Sequence, residues 1–417
     1  MTNKRLNVAP AQLSVGLYVV LPLKWSEHPF LFRRFKIRNE QQLALIRGLG
    51  LKQVEVWLDK SDTGLQPTTE LRPQQSASED ERQQAQERKE AQISRQQQQA
   101  RALQKTAADF QQALATVKGI VSDVKRNGDG AISNANRLVD ALVDAINGRD
   151  DVVLQLINDD STDGGIYHHS LNVAVLSVML ASAAELAPEQ IHLAGLAGLF
   201  HDLGKSRIPM AVLKKTHDIT QAEKNLIAQH PKYGEELAQA LAGLPEDVTA
   251  VIAQHHERLD GSGYPQGLSG DAISPLAQLV AVANEYDSLC HGHRHSPPMA
   301  PDRVLSSLFK EGQTRFNKDY VQHLVRVLGV YPPGTLVWLS NEMPGIVMSV
   351  NGRRLLSPSV LIYDPAIPRE QAAIIDLEDE GLSVIKPLRP SQLKEDVVLY
   401  LKPRTQLSYF MELGKKR

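Results

Sequence analysis

The chain has 13 histidines, and they are unevenly placed. His168, His169, His201, His230, His255 and His256 all fall in stretches of helical spacing, most of them near a helix end, and Asp202 directly follows His201. Neutral imidazole binds Zn, Fe, Ni or Cu, and an added carboxylate oxygen extends the set to Mn and Mg. One histidine at a helix end is more often a cap or a satisfied polar contact, so no single residue here identifies a metal site. The grouping says more. "FHDLGK", "QHPKYG" and "QHHERLDGSGYP" follow one another in one helical region, each beside a glycine-marked turn. Ligands on separate helices of a bundle can converge inward on one centre. Lys205, four residues beyond His201, has two open uses: an ammonium for a phosphate oxygen, or a partner for the carbonyls ending a helix. His28, His192, His217, His291, His293, His295 and His323 lack this setting and are assigned to surface or loops.

The elements that must position these residues divide the chain into four. Residues 1–67 combine short β-type runs ("LSVGLYVVLPL", "LKQVEVWL") with the helical "NEQQLALIRGLG", which predicts a small α+β domain. Its "LFRRFKI" segment reads as a solvated cationic face. Residues 68–105 are rich in Gln, Glu and Arg and nearly devoid of apolar side chains, so they cannot bury a core. A linker is expected there, partly disordered or a solvated helix, and without the apolar heptads of a coiled coil. Residues 106–330 repeat apolar positions at helical spacing, in "ANRLVDALVDAI", "LNVAVLSVMLASAAEL", "IHLAGLAGLF" and "LAQLVAVANEYDSL", which predicts a bundle. Residues 331–417 form a β-rich region, with "TLVWLS", "GIVMSV", "SVLIYD", "AAIIDLED" and "LSVIKPL" as strands and a turn at Asn351-Gly352.

Composition excludes several classes. At 417 residues the chain is too long for one core. Its 46 basic and 48 acidic side chains nearly cancel, so no global field draws it to a nucleic-acid polymer or an anionic membrane. The single Cys290 excludes an intramolecular disulfide and fits a reducing compartment. No signal-peptide run is evident at the start and no stretch is expected to approach a membrane span, so a cytoplasmic location is expected. Neither a Walker-type loop nor a G-x-G-x-x-G occurs.

Taken together, "HHSLNVAVLSVML", "LAGLFHDLGKSRIP", "AQHPKYGEEL" and "HHERLDGSGYPQGLSGDAISPLAQLVAVANEYDSL" resemble the HD-GYP family, bacterial phosphodiesterases of the HD superfamily that hydrolyse cyclic di-GMP. The resemblance runs from Tyr167 to Tyr331 and rests on the joint pattern: His201-Asp202 with Gly204-Lys205, the paired His255-His256, and Gly263-Tyr264-Pro265. The first sixty residues resemble an uncharacterised domain often found ahead of such modules. The fold implied is mainly α: an HD-type helical bundle core flanked by a small N-terminal α+β domain and a small β-rich C-terminal region.

The same resemblance implies metal ligands at His169, His201, Asp202, His230, His255 and His256, with Asp202 bridging two divalent ions, iron or manganese. His169 and His201 complete one shell; His230, His255 and His256 complete the other. The family pattern Val-Ala-Asp-x-Tyr/Phe-Asp carries a further ligand at its first aspartate, where this chain has Asn284, an amide that can coordinate but brings no charge. Glu285 points about 100° away on a helix, and Asp287 keeps the second aspartate. Asp202 and Lys205 are the implied catalytic residues, and Lys205, Gly263, Tyr264, Pro265 and Arg294 the implied substrate contacts. Arg294 is what "CHGHRHSPP" retains of an arginine-bearing element common in the family. Gly165 stands where three-metal members have glutamate, which leaves two ions. The implied reaction opens cyclic di-GMP to linear pGpG and continues to GMP, with GGDEF-type diguanylate cyclases as partner proteins. Asn284 and the shortened arginine element motivate a second reading, a catalytically weak cyclic di-GMP receptor or protein-interaction module. The Gln-rich segment is a candidate for holding a homodimer together.

Overall fold

In the computed structural model, the described residues are 5–23, 27–30, 32–65, 78–124, 126, 129–146, 153–157, 165–215, 218–292, 297–312, 314–351, 355–365, 367–369, 372–403, 408–411 and 413. They form two units, Met1–Gln99 and Ala100–Arg417.

The first unit holds β1 (Arg5–Val8), β2 (Tyr18–Val20), β3 (Arg34–Lys36), α1 (Glu40–Arg47) and β4 (Val54–Trp57). The strands pair antiparallel in the order β1-β4-β2-β3. Val54 and Val56 alternate inward along β4, as a pleated strand requires, and join Leu17, Val19 and Ile46 in the core. α1 starts where Asn39 Oδ1 accepts the Gln42 N–H, satisfying a donor that the first helical turn leaves free. The expected runs correspond to β2, α1 and β4, whereas β1 was not foreseen and β3 lies in the segment read as a solvated cationic face.

A 46-residue helix, α2 (Glu79–Val124), follows, and the division between units falls within it. Its buried positions begin at Thr106 and continue through Phe110, Ala113, Leu114, Val117 and Ile120. That three-and-four spacing is an apolar stripe facing a core.

In the second unit, α2 leads to α3 (Asp129–Ile146), β5 (Val153–Ile157), α4 (Gly165–Ala183), α5 (Pro188–Phe200), α6 (Met210–Leu213), α7 (Gln221–Ala228), α8 (His230–Gln239), α9 (Glu246–Gln254), α10 (Pro275–His291), α11 (Pro301–Glu311) and α12 (Lys318–Leu328). The chain ends with β6 (Leu336–Leu339), β7 (Pro344–Asn351), β8 (Ser359–Ile362), β9 (Ile374–Asp376), β10 (Val384–Pro387), α13 (Glu395–Leu401) and β11 (Ser408–Met411). α4 is the centre of the bundle, packed by α3, α5, α10 and α12 on different sides, so it is apolar all round rather than on one stripe. By length and composition it is long and apolar enough to cross a membrane, and 72% of it is buried inside the protein. This corrects the expectation that no stretch approaches a membrane span; the apolar run exists because protein surrounds the helix on every side.

The C-terminal strands join a seven-stranded antiparallel sheet, whose main path is β10-β6-β7-β5-β11 with β8 and β9 branching from β7. β5 belongs to this sheet although it lies inside the span expected to be helical. A five-residue apolar run is too short for its period to separate strand from helix. Likewise α13 and β11 were not foreseen. Gly352, half of the expected turn, lies outside the described residues.

Gly204 sets the approach of two elements that carry ligands. It sits in the short 3-10 turn Leu203–Arg207, and a Cβ there would collide with the His230 carbonyl oxygen and the Gly234 nitrogen at the start of α8. Only a bare backbone lets this turn lie against α8. The collision partners are backbone atoms, which cannot swing aside. Gly204→Ala should therefore destabilise the protein by about 1–3 kcal/mol through overpacking, read as a lower urea midpoint; an unchanged midpoint would contradict a contact this close.

Candidate metal centre

Three helices end, or begin, on a histidine that uses the same device. His201 is the C-cap of α5, His255 is the C-cap of α9, and His230 opens α8 directly after α7. In each the Nδ1–H donates to the carbonyl three residues back: His201 to Gly198 at 2.8 Å, His230 to Ile227 at 2.8 Å, His255 to Ile252 at 2.9 Å. Carbonyls in the last turn of a helix have no intrahelical donor, so a histidine there finds a ready acceptor. His169, in the first turn of α4, donates its Nδ1–H to Asp287 Oδ2 on α10 at 2.7 Å.

These bonds decide the tautomer. A carbonyl or carboxylate can only accept, so Nδ1 carries the proton and, in the neutral ring, Nε2 is left as a bare lone pair. The four Nε2 atoms then meet in pairs, His169 with His201 at 3.1 Å and His230 with His255 at 3.1 Å. Between them lies Asp202. Its Oδ2 is 3.5 Å from His169 Nε2 and 3.4 Å from His201 Nε2, while its Oδ1 is 3.3 Å from His230 Nε2 and 3.8 Å from His255 Nε2. Oδ1 is buried and has no hydrogen-bond partner among the described residues. Lone pairs facing lone pairs around a carboxylate repel one another, and the arrangement is complementary to a cation. Two groups result, sharing Asp202: His169, His201 and Asp202, and Asp202, His230, His255 and His256, each with its donor atoms within 4.8 Å of one another. The donor set fits divalent ions with mixed nitrogen and oxygen ligation.

The electrostatics agree with neutral rings and an ionised carboxylate. Burial pushes His169 and His230 below the ordinary histidine value, and burial with the neighbouring imidazoles pushes His255 and His256 well below it. Burial opposes the charge on Asp202, but Lys205 and the nearby His201 and His230 outweigh it and hold its pKa well below the usual range. Lys205 Nζ donates to Asp202 Oδ2 at 2.5 Å.

Around this centre the structure places the other expected residues as follows. Asn284 is buried on α10, and its Oδ1 accepts from Ser288 Oγ at 3.2 Å. Tyr264 stacks on His256, ring centroids 4.6 Å apart, and its N–H donates to the His256 carbonyl. Gly263 lies so close to the Glu257 and Arg258 backbone that a Cβ would strike it. The Tyr264-Pro265 peptide bond is cis. Arg294 lies outside the described residues. His168 is turned from the centre, its ring against Phe110.

Glu257 escaped the sequence reading, and other residues named there make contacts that it did not foresee. Asp287 is fully buried and orients His169. Glu257 is buried, and its carboxylate accepts the Gln266 and Leu268 N–H groups at 2.7 and 3.0 Å, holding the glycine-rich loop from within. Glu285 pairs with Arg258 at 2.8 Å, which keeps its charge on that arginine. His291, assigned to the surface, directs Nδ1 to the Asp287 carbonyl at 2.7 Å, and His28, assigned likewise, is buried beside Phe30. The sequence had already marked Asp287 as the second aspartate of the family pattern, three residues after Asn284 on the same helical face.

Comparison with known proteins follows the same lines. The family model described as HD domain matches residues 151–319, and one described as a domain of unknown function (DUF3391) matches residues 6–135. The chain is 30% identical over 383 residues, 91% of its length and 90% of the relative's, to a cyclic di-GMP phosphodiesterase of Pseudomonas aeruginosa. It is 34% identical over 165 residues, 39% of its length and 44% of the relative's, to a cyclic di-GMP phosphodiesterase response regulator of Xanthomonas campestris pv. campestris. A solved HDG"Y"P protein from Bdellovibrio bacteriovorus aligns with a TM-score of 0.41 at 18% identity, covering 78% of this chain and 99% of that one.

The lowered histidine values imply a pH dependence of stability in the metal-free protein. The folded state keeps these rings neutral, whereas the unfolded chain takes up protons below about 6.5. Their contribution is complete above that value and declines as pH falls, so urea midpoints should be level from pH 8 to 7 and drop steadily between about 6.5 and 5. A midpoint flat across that window would show that the rings titrate normally in the folded protein.

Proposed function

This chain belongs to the HD-GYP group of the HD-domain phosphodiesterases, and from that premise we propose that it hydrolyses cyclic di-GMP to linear pGpG and onward to GMP, with two divalent ions, iron or manganese, held at Asp202. The observation that carries this reading is the division of one carboxylate between two histidine sets: Oδ2 toward His169 and His201, Oδ1 toward His230 and His255. When bound, two such ions activate water and neutralise the attacking and leaving oxygens of a phosphodiester. Asp202 would hold both ions, His256 would join His230 and His255 at one of them, and Asn284 would offer a neutral oxygen from α10. Lys205, whose ammonium rests on Asp202 and is partly exposed, offers positive charge to a non-bridging phosphate oxygen. Gly263, Tyr264 and Pro265 border the substrate, with Tyr264 kept in place by its stack on His256; Arg294 is proposed as a further phosphate contact. A cytoplasmic location, GGDEF-type diguanylate cyclases as partners and a homodimer complete the proposal.

A second reading, a cyclic di-GMP receptor with weak turnover, is favoured by Asn284 alone. Replacing a charged ligand by an amide removes one anion from the site, and the Asn284 oxygen already accepts from Ser288.

Purified protein reconstituted anaerobically with Fe(II) or Mn(II) should convert cyclic di-GMP to pGpG, followed by chromatography, and Asp202→Ala should abolish the conversion. Tight binding with no product would instead select the receptor. Asn284→Asp should raise metal occupancy, measured by elemental analysis after dialysis; unchanged occupancy would remove position 284 from the ligand set.

A further inference from the structure

His169 differs from the other three anchored histidines in where its Nδ1–H goes. At the end of a helix the spare carbonyls lie within the histidine's own chain segment. In the first turn of α4 they do not, because the carbonyls there are taken up by N–H groups one turn ahead. His169 must borrow an acceptor from another element, and it takes Asp287 Oδ2 on α10. Its ligand geometry therefore depends on how α4 and α10 are held together at this point.

Asn172 occupies that junction. It lies three residues beyond His169 on the same face of α4 and is fully buried in a strongly apolar helix. A buried carboxamide is costly unless bonded. Its Nδ2 donates to Asp287 Oδ1 at 2.8 Å, and its Oδ1 accepts the backbone N–H of Tyr409 at 3.2 Å. Neither partner tolerates the flipped amide, since a carboxylate cannot donate and an N–H cannot accept, so the orientation is unique. Tyr409 belongs to β11, which is buried along its whole length and pairs with β5. Beside it, Phe410 meets Phe110 edge-on, and Tyr409 faces Tyr286 on α10, the residue before Asp287.

We propose that Asn172 is a positioning residue that couples the terminal strand β11, through Asp287, to His169, so that one of the two ions depends on the C-terminal sheet and the other does not. The ion at His169, His201 and Asp202 lies at the end of this chain of bonds. In the other group, His230 and His255 are anchored by the helix-end carbonyls of Ile227 and Ile252 rather than through Asp287. The proposal rests on the two-ion reading above.

The test is a Mn(II) titration of the full chain, followed by electron paramagnetic resonance of free ion. Wild-type protein should bind two ions. Asn172→Leu, of similar size but without either hydrogen bond, should weaken one of them about 10–100-fold, the usual effect of losing a group that orients a ligand, and leave the other unchanged. If that variant fails to fold by circular dichroism, Asn172→Ser takes its place, compared with Asp287→Asn and the double variant. A residue acting through Asp287 makes the double variant no worse than Asp287→Asn alone. Equal weakening of both ions, unchanged affinity for both, or additive losses in the double variant would overturn the role of Asn172. Fewer than two ions in the wild type would overturn the two-ion reading and this proposal with it, whereas two ions without selective loss overturns this proposal only.

Discussion

Four imidazole lone pairs converge on one buried carboxylate, and the rest of the structure has to hold them there. The Nε2 atoms of His169 and His201, and of His230 and His255, lie 3.1 Å apart, and each Nδ1 is engaged by a carbonyl or carboxylate. Asp202 lies between the pairs, nearly out of water, with Lys205 as the charge that offsets it. Gathering so many polar side chains away from water requires close packing by the elements around them. The largely apolar α4, packed on α5 and α10, supplies that packing.

The helix ends solve the problem of aiming the rings. A histidine terminating a helix is usually a cap, and here it is a cap and a candidate ligand at once, because the two functions use different ring nitrogens. Nδ1 satisfies a carbonyl that the helix leaves free, and this fixes both the tautomer and the direction of Nε2. The Glu257 carboxylate does comparable work for the neighbouring loop. It gathers two backbone N–H groups and keeps Tyr264 against His256. His169 has no such local acceptor, which is why α10 and β11 enter the centre at all.

Much of this was open to reading in the chain. The histidine–glycine motifs grouped His168, His169, His201, His230, His255 and His256 with Asp202, and the family resemblance implied the same set without His168. The structure brings those six together, while His168 packs on Phe110. The bundle helices α3, α4, α5 and α10 and the strands β6 to β10 were visible from periodicity, whereas α11 and α12 were not foreseen. Asn172 and Glu257 were not, because a lone polar residue in an apolar or loop segment looks the same whether it caps a strand edge, holds a loop or faces water. Nor was β5, whose five residues fit either period, nor β11, whose partner lies some 250 residues earlier.

What the sequence by itself determined is local: which segments coil or extend, where helices stop, and which side chains can donate a lone pair. These follow from spacing, caps and residue chemistry within a turn or two of chain. Only the tertiary structure decided which oxygen of Asp202 faces which histidine, that His169 leans on Asp287, and that a terminal strand reaches α4. Those are distances between segments far apart in the chain, set by how apolar surfaces pack, and no pattern of neighbouring residues encodes them.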